Sequence, residues 1–207
     1  MKQVTAVGPV TERRRKPSGS FVRPMGVMPT DTSEGHAASG DPWDAYFGAS
    51  LLVETPDGAV WVYPAPVGVG EGNYLDPNGS VICVITAHNQ GGRAASDQEN
   101  AAAQQRLEDE LAQRGWTWWP TAGGDVSWTH AGASAAVVGA EESEVAALGA
   151  DFGQDAIFVL DPRWRRVVSC VSGRVATTGW TIKPETGDAE WAPARLRGLR
   201  NCRSRCL

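Results

Sequence analysis

Val81-Ile82-Cys83-Val84-Ile85-Thr86 is a near-unbroken run of apolar, mostly β-branched residues. Such a run has the length and composition of a central strand buried on both faces. The residues downstream of it set the expected context. Residues 89–95 include two glycines and read as a loop. Ser96 and Glu99, three apart, form the capping-box pattern of a helix start. Ala103, Leu107 and Leu111 repeat at helical spacing as its buried stripe, and Gly115 is placed to end it.

The pattern continues with an aromatic strand at 116–120, a turn at Ala122-Gly123-Gly124-Asp125 and a strand at 133–138. Glu141, Glu142 and Glu144 open a second helix, where acids suit the positive end of the helix dipole. Val145, Leu148 and Phe152 line one face of it, and Gly153 ends it. Residues 156–160 and 166–171 are two further strands around Asp161-Pro162. Upstream, Asp41-Pro42 opens a short helix carrying Trp43, Tyr46 and Phe47. Residues 51–54 and 60–63 flank Pro56-Asp57-Gly58 as a hairpin.

Strand, helix, strand, strand, helix, strand is the order of a split βαβ unit. The reading is therefore an α/β (α+β) domain with a ferredoxin-like βαββαβ core and extra edge strands. Residues 41–172 form that domain. Residues 1–40, rich in Gly, Pro, Ser and Thr, read as a disordered extension, and 173–207 as a basic, irregular tail. Trp180 and Trp191 in that tail have no place in the pattern. Right-handed crossovers bring three connections to one edge of the sheet: 86–96, 121–132 and 152–156.

Bulk properties narrow the function classes. The chain has 207 residues and a formal net charge of −5. Residues 41–172 hold 18 acidic and 6 basic residues, so the expected body is strongly acidic. Such a body repels phosphate backbones and makes a poor nucleic-acid binder. No apolar run is long enough to span a bilayer, and Met1-Lys2-Gln3-Val4 begins no signal peptide, so a cytoplasmic protein is expected. Cys83 and Cys170 sit in apolar runs and read as small buried hydrophobes; Cys202 and Cys206 read as free tail thiols.

Thr86-Ala87-His88-Asn89, then Ser96-Asp97-Gln98-Glu99-Asn100, then Gly124-Asp125 with Trp128, then Phe152-Gly153-Gln154-Asp155-Ala156-Ile157-Phe158 resemble, in order and spacing, the motifs of a bacterial domain-of-unknown-function family, DUF3293. The resemblance spans roughly residues 43–171, a range taken from the strand and helix pattern. It implies a shared fold and carries no known activity. Gln90 stands where that family usually has a proline, and His130 where an acid is expected. The C-terminal tail lies outside the family pattern.

The candidate site is polar. Asn89, Asn100 and Gln154 offer amides that both donate and accept. Asp125, after two glycines, is the candidate general base, with Glu99 second to it. Thr86, Arg93 and Trp128 complete the ligand-binding set, Arg93 as an anion contact ahead of a helix start. Each residue also has an ordinary structural reading: Asn89 as a turn residue, Glu99 as the capping-box partner of Ser96, Gln154 as a cap on exposed carbonyls. No metal is assigned; His88, Asp125 and His130 are the alternative that could hold one. No cofactor is identified. The function read from this is binding of a polar small molecule, nucleotide-like or amino-acid-like, with or without catalysis. The alternative is a regulatory or scaffold protein that binds another protein through its aromatic strand and tails.

Overall fold

The structure, a computed structural model, describes residues 42–185. The readings of 1–40 as disordered, and of Trp191, Cys202 and Cys206, lie outside those residues. In chain order the elements are α1 (Pro42–Gly48), β1 (Ser50–Thr55), β2 (Gly58–Ala65), the two-residue β3 (Gly70–Glu71), β4 (Ile82–Thr86), α2 (Asp97–Gln113), β5 (Thr117–Gly124), β6 (Ala131–Val138), α3 (Glu142–Asp151), β7 (Ala156–Leu160), β8 (Arg165–Ser169) and β9 (Val175–Pro184).

The strand order is β2-β1-β5-β6-β4-β7-β8-β9-β3, and β2 also pairs with β9. That last ladder runs antiparallel from Val60↔Pro184 to Ala65↔Gly179 and closes the sheet. The result is an eight-stranded antiparallel barrel, with β3 added in parallel beside β9.

This overturns the expected ferredoxin-like α/β domain. The elements between residues 82 and 160 form, and β5-β6-β4-β7 are neighbours. They are not a complete sheet, because both outer strands have further partners: β1 pairs with β5, and β8 with β7. The extra strands close the barrel instead of fraying at its edges. Residues 175–184, read as part of an irregular tail, are the strand that makes closure possible.

Strand alternation separates two cores. Cys83, Ile85, Val137, Ile157 and Val159 face outward and pack beneath the Ala103–Leu107–Leu111 stripe of α2 and Val145 and Leu148 of α3. Their neighbours Ile82, Val84, Ala136 and Leu160 face the other way, with Leu51, Val53, Val62, Trp119, Trp180 and Ile182, and fill the barrel. An eight-stranded barrel has an interior that side chains alone can fill. Burial in the outer core pushes the Cys83 thiol up to about 12, so it stays protonated and behaves as an apolar group.

One interior position breaks the apolar rule. Arg165 lies opposite Leu160 in the β7–β8 ladder, which turns it inward, and it is fully buried. Its guanidinium donates to the carbonyls of Ala49 (2.7 Å), Tyr46 (3.1 Å) and Phe47 (3.4 Å), at and just beyond the end of α1. It also lies over the Phe158 ring, 4.7 Å from its centroid. A cation here meets the negative, C-terminal end of α1 and the carbonyls there, of which Tyr46 O also accepts from Ala49 N–H. The next residue, Arg166, points outward and pairs with Glu142 of α3 at 2.7 Å.

The closing ladder depends on one close approach. A Cβ at Gly179 would collide with the carbonyl oxygens of Pro66 and Val69. Gly179→Ala is expected to lower stability by roughly 2–3 kcal/mol, measured by urea denaturation, because the 66–69 turn that crosses it cannot move away without losing the Trp180 N–H bond to Val69 O.

Candidate functional site

Antiparallel pairing puts the end of β4, the β5–β6 hairpin, the start of β7, the β8–β9 turn and the start of β1 at one rim of the barrel. The three stretches expected to converge on a sheet edge meet on this rim. Hydrogen bonds join them directly. Gly91 N–H donates to Gly153 O at 2.8 Å, Gln154 Nε2 donates to His88 O at 3.2 Å, and Thr86 Oγ1 donates to Ala133 O at 2.6 Å. Gly153 has φ of +64°, and a Cβ there would stand 3.1 Å from Gly91 N, so glycine permits this contact twice over. The His88 ring lies against Gly132 of β6, where a Cβ would meet it.

Asn89 and Asn100 form one bonded unit. Asn89 N–H donates to Asn100 Oδ1 at 2.8 Å, and Asn100 Nδ2 donates to Asn89 Oδ1 at 3.2 Å. Ala95 N–H donates to Asn89 Oδ1, and Asn100 Nδ2 also reaches Ala95 O. Asn89 itself is left-handed, at φ 51°, ψ 52°, a conformation asparagine tolerates better than most residues. Asn100 is buried in the first turn of α2, where helix propensity disfavours it. The helix accepts that cost because this side chain holds the 89–95 loop in shape.

The remaining candidates divide. Glu99 is the capping-box partner: Ser96 N–H and Oγ–H both donate to Glu99 Oε2 at 2.8 Å, and Glu99 N–H donates to Ser96 Oγ. These bonds, with Arg93 beside it, hold its carboxyl below the ordinary range. Arg93 is exposed and lies 3.5 Å from Glu99 Oε1. Asp125 accepts from Ser127 Oγ at 3.1 Å and from His130 N–H at 3.4 Å, bonds that stay within its own hairpin. Trp128 leaves the rim and packs edge-on to Trp61, 4.8 Å between centroids, over Leu52 and Ala122 on the outer wall. Thr86, His88, Asn89, Asn100 and Gln154 are thus the residues brought together. Among the described residues, no three His, Cys, Asp or Glu side chains stand grouped to hold a metal, so His88, Asp125 and His130 form no such cluster.

The aromatic strand is largely spent on packing. Trp119 faces the barrel interior, while Trp116 and Trp118 pack with the helix-covered outer core. Arg165 is the residue that sequence reasoning misses. The apolar pattern starts the strand at Arg166, and only the alternation Arg165, Val167, Ser169, set against a closed barrel, reveals an inward arginine.

The Asn89–Asn100 unit can be tested directly. Asn100→Ala is expected to cost about 2 kcal/mol and to speed hydrogen exchange at the Asn89 and Ala95 amides about tenfold. Asn100→Asp will not rescue it, because a carboxylate would face the oxygens of Asn89 and Ala95 that now accept from Nδ2.

No curated protein and no solved structure matches this chain. Among the described residues, no helix is long and apolar enough to cross a membrane. The family comparison covers the segment from the end of β4 to the start of β7, which carries both rim-bracing helices and lacks the strands that close the barrel. The resemblance carried by the motifs is shown there: residues 85–157 match the model of the family described as "Protein of unknown function (DUF3293)".

Proposed function

We propose that the protein binds a small polar molecule on the rim formed by residues 86–96, 124–131 and 152–156. The supporting observation is that 86–96 and 152–156 are tied to one another by the Gly91–Gly153 and Gln154–His88 bonds, and that Thr86 is tied to Ala133 of β6, rather than left to move independently. A preorganised rim loses little entropy when a ligand arrives. Arg93, His88, Gln154 and Asp125 would supply the polar contacts, and the Asn89–Asn100 unit would hold the platform rigid. Binding is favoured over turnover because Asp125 and Glu99, the two candidate acids, are engaged within their own turns.

A protein-docking role through the 116–120 strand is the second reading. It has less support, since that strand's indoles pack inward or against the helix layer.

Differential scanning fluorimetry with nucleotides, amino acids and divalent cations tests the proposal. A ligand class held at a hundred times its Kd is expected to raise Tm by roughly 5–10 °C. The shift should shrink in Asp125→Ala and Gln154→Ala. A panel that shifts wild type and both variants alike, or none of them, would remove the reading.

A further inference from the structure

Arg165 and α1 are seated very differently. Arg165 is wholly buried, whereas Trp43, Tyr46, Phe47 and Gly48 are only half-buried and Ala45 is exposed. Helix α1 has 7 residues and packs extensively on no single strand. Its ring contacts are Tyr46 edge-on to Phe158, 6.2 Å between centroids, and Trp43 under the Arg174 guanidinium at 4.7 Å, so a short, half-exposed helix covers a fully desolvated cation.

The bonding of that cation is also incomplete. Among the described residues its oxygen partners are the neutral carbonyls of Tyr46, Phe47 and Ala49 and the Thr178 hydroxyl, with no carboxylate among them. Its Nε–H is buried with no hydrogen-bond partner among the described residues. Desolvation lowers its pKa to about 10, so it still carries its charge at neutral pH. Burying an unpaired charge is among the most costly arrangements in a protein interior. Carbonyl oxygens stand where an anion would satisfy the guanidinium better.

The surroundings restrict the anion. Phe158 lies under the guanidinium. Among the described residues, the exposed large apolar side chains at this end are Val67, Val126 and Val171 on three loops around the rim and Val175 at the start of β9. Val126 adjoins Gly48, at the end of α1. A single buried positive charge is balanced by a monoanion, and the Phe158 ring against the guanidinium, with Val126 beside the end of α1, favours an apolar body attached to it.

We propose that the barrel mouth beneath α1 is a binding site for a small carboxylate with an apolar body, in which the ligand's carboxylate displaces the α1 carbonyls from Arg165. This site borders the rim, with Val126 on the 124–131 hairpin beside α1 and Asp155 close enough to Tyr46 to add to the rise that burial gives its hydroxyl pKa, but its anchor is Arg165 and it does not depend on a ligand at the rim loops. Helix α1 then acts as a competitor that occupies the site until the ligand displaces it. Apparent affinity is lowered in proportion to how firmly α1 is seated.

The test is titration of the full chain with octanoate, octanol and inorganic phosphate, following the Arg165 Nε–H signal by proton–nitrogen NMR correlation. Octanoate is expected to shift that signal, and octanol and phosphate are not. Ala45→Gly, which weakens α1 without touching Arg165, should tighten octanoate binding about fivefold. Arg165→Met should remove the preference for octanoate over octanol. Because that variant also removes bonds to α1, the wild-type signal and Ala45→Gly carry the test if it fails to fold. An unmoved Nε–H signal, equal shifts by octanol and octanoate, a response to phosphate alone, or unchanged affinity in Ala45→Gly would each overturn the proposal.

Discussion

The ladder between β2 and β9 decides what every other residue experiences. Without it, Leu51, Val62, Trp180 and Ile182 would line one face of an open, curved sheet. With it, they meet across an enclosed interior. Closure removes both sheet edges, so the main strands have neighbours on either side. It also divides the apolar residues into an inner core of side chains alone and an outer core roofed by α2 and α3.

Closure leaves two ends that the barrel must cover by other means. At the rim beside α1, polar side chains do this work. Asn89 and Asn100 fix one loop, Gln154 fastens it to the next, and Thr86 ties β4 to β6. Arg165 reaches the same rim from within and fastens α1 over the opening. Several of the hydrophilic residues that look most like site chemistry therefore also have architectural roles. That overlap need not oppose binding, since a rigid scaffold is what holds functional groups in register.

Much of the secondary structure was legible because its signals are local. Ser96 with Glu99 marks the start of α2, and the capping box forms as read. The period of Ala103, Leu107 and Leu111 identifies the buried stripe. The convergence of the 86–96, 121–132 and 152–156 connections was also legible, because direction of travel along β4, β6 and β7 dictates it. The barrel was not legible. Val175-Ala176-Thr177-Thr178-Gly179-Trp180 is dominated by small and polar residues, so it lacks the continuous apolar signature of residues 81–86. Nothing local says that it will meet a hairpin more than a hundred positions earlier. Arg165 was hidden for the same reason, since an arginine at a turn ordinarily faces solvent. At the candidate site, residue types indicated polarity, but only coordinates reveal that Asn100 bonds Asn89 and that Trp128 turns away to Trp61.

The last described strand completes the cylinder, and this has a bearing on biogenesis. As the chain is made, the β1–β2 hairpin and the helical segments emerge first, while β2 and β8 wait for a common neighbour. The partners in that final seam are separated by about 120 residues, a separation that places the step among the slower kinds of assembly. Until it occurs, two strands present unsatisfied backbone to the surroundings, a condition that favours association between chains. The Pro64 and Pro184 rings, both on strands of the seam, deny hydrogen-bond donors to any foreign strand that would pair there first.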